Sequence, residues 1–106
     1  MTWDKGSWDR HLRIVRSALH KRDVLLGAGC RPDRGMSEGD RECRAWAAKA
    51  RANLSRLAHL ARAAPDPEAA CAIVAELRRR HQRPNRGNTG PDQKVDRATR
   101  ICDYHG

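Results

Sequence analysis

At 106 residues, with net charge +9 and a pI of about 10.4, the chain has room for one domain and none for a second. Only fifteen residues are Leu, Val or Ile and none is Phe, so the core must be thin; help from a homo-oligomer or an obligate partner is expected. No stretch approaches the roughly 18 apolar residues of a membrane span, so no spanning segment and no membrane partner are expected, and the polar start at residues 1–6 leads to no expectation of a secretory signal. The expected location is therefore cytoplasmic. Thiols stay reduced there, and Cys30, Cys43, Cys71 and Cys102 form no CxxC pair, so a disulfide framework is not expected.

The first helix is expected over about residues 8–26, with Ser7 as its cap, Asp9 in the first turn and a break near Asp23. Trp8, Leu12, Val15, Leu19 and Leu26 form its apolar stripe at helical spacing, while Arg10, Arg13, Arg16, His20 and Lys21 make a basic face. Gly, Pro, Arg and Asp dominate residues 27–36, which read as a flexible loop. Ser37 then caps a second helix over about 38–64, with Asp40 in the place of a capping-box acid. Cys43, Trp46, Ala47, Ala50, Leu54, Leu57 and Ala61 make its stripe, and the alanines opposite are helix formers. Pro65 ends it.

Asp66-Pro67-Glu68 supplies a cap, a proline at the first helical position and an acid in the first turn of a third helix, about 67–82. The short link makes helices two and three an antiparallel hairpin. Ala70, Ile73, Val74 and Leu77 face the core. A flexible linker follows at 84–91, then a short fourth helix over about 92–103 with Val95, Ala98 and Cys102 on its apolar face. With no strand-like alternation anywhere, the fold class is all-α: a small three- to four-helix bundle in one domain.

The densest charge is Arg78, Arg79, Arg80, Arg83 and Arg86, at a helix end that opens into a polar loop with Gln82 and Asn85. Together with Arg10, Arg13, Arg16 and Lys21 these are the candidate contacts to nucleic acid, because guanidinium forks match phosphate oxygens and charge neutralisation dominates such binding. Cationic helix ends also complement the helix dipole, so a plain solvated terminus is the competing reading. Trp3, Trp8, Trp46 and Tyr104 are too scattered for a stacking platform; Trp8 and Trp46 sit on apolar stripes and read as core.

No tight helix-turn-helix joins the first two helices, so groove reading of base sequence is not expected. Cys102 and His105 have C-x-x-H spacing, with Cys30 and Cys43 elsewhere, but no finger pattern results and no metal is expected. There is no GxxxxGK[ST], HExxH or GxSxG motif, and a bundle this small offers little room for a substrate cleft. The chain is expected to bind rather than catalyse, without a cofactor. The leading expectation is a basic helical protein that meets nucleic acid, or a complex containing it, through phosphates. The alternative is a regulator or inhibitor that docks on an acidic protein surface, by analogy a phage or mobile-element product that blocks a host machine such as a defence nuclease.

Overall fold

The computed structural model describes residues 2–83 and 93–103. The expected linker at 84–91, Arg86 and the terminal Tyr104 and His105 lie outside them. The described residues form α1 (Lys5–Gly27), α2 (Glu38–Arg62), α3 (Pro67–Gln82), α4 (Gln93–Thr99) and a closing 3₁₀ turn (Arg100–Cys102), with no strand among them. The central helix is α2, which packs against all the other elements. The α2–α3 hairpin is present, turned over residues 63–66.

Helix starts follow the side chains that can satisfy free amides. At α1 the cap is Asp4, not Ser7: its carboxylate accepts from the Gly6 amide at 3.1 Å, so the helix begins a turn earlier than the apolar stripe suggests. The helix also runs unbroken through Asp23. At α2 the capping box is complete, with the Ser37 hydroxyl accepting from the Asp40 amide and the Asp40 carboxylate accepting from the Ser37 amide. Asp66 caps α3 by accepting from the Ala69 amide at 3.2 Å, with Pro67 behind it.

The core is one cluster. Val15, Ala18 and Leu19 of α1 meet Ala50, Leu54, Leu57, Ala58 and Ala61 of α2, with Val74 and Leu77 of α3 and Val95 of α4 completing it. Val95 is fully buried, so the fourth helix docks on its own bundle. Across the α1–α2 seam, His11 Nδ1 donates to Asn53 Oδ1 at 2.8 Å, and Asn53 Nδ2 donates to the Lys49 carbonyl at 2.9 Å.

The segment between α1 and α2, expected to be flexible, is organised around one carboxylate. Asp40 has no exposed surface and accepts from the amides of Arg31, Met36 and Ser37 and from both Nε and Nη2 of Arg34. The Arg34 guanidinium, with these amides, holds the Asp40 carboxyl well below the usual carboxylate range despite its burial. Gly35 turns here with φ +64°, and a Cβ on it would meet the Arg44 guanidinium at 2.6 Å. Arg44 in turn donates to the Pro32 carbonyl at 2.6 Å.

The expectation of unpaired thiols is corrected: Cys71 of α3 is disulfide-bonded to Cys102 of the 3₁₀ turn, with Cα atoms 5.2 Å apart. The partners stand 31 residues apart in sequence, so spacing gave no signal; the docking of α4 brings them together. Cys30 and Cys43 remain free, and burial pushes the Cys43 thiol up, away from reactivity.

Candidate nucleic-acid interface

The nine residues singled out from the sequence divide into three groups. Arg10, Arg13, Arg16 and Lys21 of α1 are exposed, as are Arg79 and Arg83 at the end of α3. Arg78 and Arg80 are only half exposed, because both are held by carboxylates. Arg78 Nη1 donates to Asp103 at 2.8 Å and to the Thr99 hydroxyl at 3.2 Å, binding α3 to the C-terminal turn. Arg80 pairs with Asp23 at 3.3 Å. Arg86 lies outside the described residues.

Packing brings the two separate sequence clusters into one place. Arg16 of α1 and Arg79, Arg80 and Arg83 of α3 line a single cleft of about 460 Å³, floored by Ile73 and Leu77 with Glu76 at its side. Among the described residues no ion pair reaches Arg16, Arg79 or Arg83, nor Arg10 or Arg13. A second depression, about 630 Å³, runs along α1 past Leu12, Arg13, Arg16 and His20, with Asp9, paired with Lys5, at its side. A third, about 220 Å³, lies between α1 and α2 and is lined by Arg13, Lys21, Trp46 and Lys49. Arg16 belongs to the first two depressions and Arg13 to the last two, so the three form a continuous basic belt across α1. Cations spaced along a concave path reinforce one another's potential and are suited to a linear polyanion.

Two features depart from the sequence expectations. Trp46, expected in the core, is only partly buried: it packs against the core cluster yet also lines the third depression. The Lys21 ammonium stands 4.3 Å from its ring centroid and that of Lys49 5.4 Å. Arg22 is the second feature. Its side chain is 3% exposed, and it clamps the end of α3 by donating from Nη1 to the His81 carbonyl at 2.8 Å and from Nη2 to the Arg80 carbonyl at 3.1 Å. Nε and Nη2 also reach Asp23 Oδ1, at 3.1 and 2.8 Å. The signal was present: Trp8, Leu12, Val15, Leu19 and Leu26 leave position 22 as the gap in the stripe, and a charge in a core register requires buried partners. This clamp ties α1, which carries Arg16, to the end of α3, which carries Arg79 and Arg83.

Among the described residues no three His, Cys, Asp or Glu gather as metal ligands, and Cys102 is committed to Cys71. No described helix is long and apolar enough to cross a membrane. No family model, curated protein or solved structure matches this chain.

Proposed function

We propose that this chain is a small basic binding protein that holds nucleic acid, or a complex containing it, through arginine–phosphate contacts, and that it acts by binding rather than by catalysis. The observation that carries this reading is the convergence of Arg16, Arg79 and Arg83 on one cleft, with no ion pair to any of them among the described residues, although they come from elements about sixty residues apart in the chain. Guanidinium groups left unpaired side by side repel one another, and an incoming phosphodiester removes that repulsion while releasing its own counterions. Arg78 and Arg80 contribute less, since their forks already serve Asp103 and Asp23.

Fluorescence anisotropy with labelled DNA and RNA over a salt series tests the reading. If about five cations engage phosphates, log Kd rises with log[salt] with a slope of about 4. Charge reversal at Arg16, Arg79 and Arg83 weakens binding and flattens the slope, while Arg10→Glu, outside the cleft, changes it less. Absence of binding to any DNA or RNA at low salt overturns the proposal.

A further inference from the structure

The belt has chemically different ends. At α3 it presents guanidinium groups, whereas between α1 and α2 it presents an indole among ammonium groups. We propose that the depression at Trp46 is a stacking subsite for one base of a single-stranded nucleic acid, so that the belt takes single strands in preference to duplex. The inference rests on the nucleic-acid reading above and specifies its ligand.

The first argument is shape. The cations lie in depressions on both sides of α1, with Arg13 and Arg16 on the ridge between them. A duplex is stiff over many times the width of this protein, with a persistence length of about 50 nm, and cannot descend into both. A single strand bends at each phosphodiester and can follow the whole path. The second argument is the indole. An aromatic ring beside a cationic path is the usual means of holding unpaired bases, since every base offers a π face. Lys21 and Lys49 now stand near that ring, and both are exposed. A lysine loses little by swinging from an indole to a phosphate, because its stem is flexible and a full negative charge replaces a ring quadrupole. Trp46 is anchored against the core by its inner part, so its outer part is held in place before a ligand arrives.

The test uses the full chain with a fluorescein-labelled single strand of mixed sequence, in DNA and RNA forms, and the matching duplex. Single strands are expected to bind more tightly than duplex. Trp46→Leu is expected to weaken single-strand binding about 5- to 150-fold, the range for loss of one stacked base, while leaving duplex affinity and the salt slope unchanged. Trp46→Phe keeps a smaller π face and recovers part of the loss. Ultraviolet cross-linking of the unmodified protein, with the adduct mapped by mass spectrometry, gives a readout independent of how the variants fold, and an adduct at Trp46 or Lys21 supports the subsite. Equal binding of strand and duplex with a neutral Trp46→Leu, or adducts confined to other segments, overturns the subsite while the basic-belt reading stands. Failure to bind any of the three probes at low salt overturns both.

Discussion

Replacing Arg22 separates a structural arginine from a binding one, and its size can be worked from the contacts. The His81 and Arg80 carbonyls belong to the last turn of α3, where the helix itself supplies no donors. In Arg22→Met the aliphatic packing survives but the guanidinium is gone. The His81 carbonyl then loses this buried bond, at a cost of about 1–3 kcal/mol. Asp23 is 40% exposed and can turn to water or keep Arg80, so it adds little. Replacing a buried ion pair by hydrophobes is sometimes neutral, but there both partners are removed; here the carbonyls stay. Arg22→Met should therefore cost about 2 kcal/mol, and Arg22→Ala about 4, as roughly 0.8 kcal/mol per buried methylene is lost as well. With an unfolding entropy of about 2.1 cal/mol/K per residue, the melting temperature falls by about 9 °C and 18 °C respectively. Circular-dichroism melts and urea titrations measure both. If Arg22→Met melts within 2 °C of the parent (about 0.4 kcal/mol on the same entropy), the clamp contributes nothing and the reasoning is refuted.

Three further outcomes follow from other contacts. Reduction of Cys71–Cys102, or its replacement by two serines, releases a loop of 31 residues; loop-closure entropy puts the loss at about 3.7 kcal/mol, and a melt with and without dithiol that shows no difference would contradict it. The depressed Asp40 carboxyl contributes stability that is complete above its unfolded value near 3.8 and is lost as pH falls through its lower folded value; urea midpoints should therefore drop from about pH 4 downward, and Asp40→Asn should flatten that acid limb while lowering stability at neutral pH. Gly35→Ala should destabilise by about 1–2 kcal/mol through its positive φ and the collision with Arg44, as denaturant titration would show, whereas Gly27→Ala, which meets open space at the last residue of α1, should not destabilise.

Much of the fold was legible because local signals agreed. Ser37 with Asp40, and Asp66 with Pro67, mark their helix starts without reference to anything distant, and Leu54, Leu57, Val74 and Leu77 sit where their periodicity places them. The misreadings concern groups whose role is set by partners far away in sequence. Ser7 is as good a cap as Asp4 by residue type, and which one captures an amide depends on where the chain enters the helix. Cys71 and Cys102 meet only because α4 folds back. The candidate site was half legible: exposed arginines were named, but their convergence on Arg16 depends on how α1 lies against α3, and Trp46 carries two roles that a stripe cannot distinguish.

The arginines are also less uniform than the net charge suggests. Arg22, Arg31, Arg34, Arg44, Arg78 and Arg80 all donate to backbone carbonyls or carboxylates that hold elements together. A core with so few large aliphatics gains from such clamps: the Arg22, Arg31, Arg34 and Arg78 guanidinium groups each hold two or three acceptors at once in a fixed planar fork. Arg34 organises the α1–α2 connection, Arg22 the α1–α3 contact and Arg78 the docking of the C-terminal turn. Net charge alone therefore overstates the surface available to an anion. What supports a binding role is narrower: of the arginines these clamps do not use, Arg13, Arg16, Arg79 and Arg83 line one path of adjoining depressions. Arg13 and Arg16 stand on α1 and Arg79 and Arg83 at the end of α3, the two helices that the Arg22 contacts join, so loss of Arg22 should weaken polyanion binding even where the protein stays folded, while leaving each belt residue chemically intact.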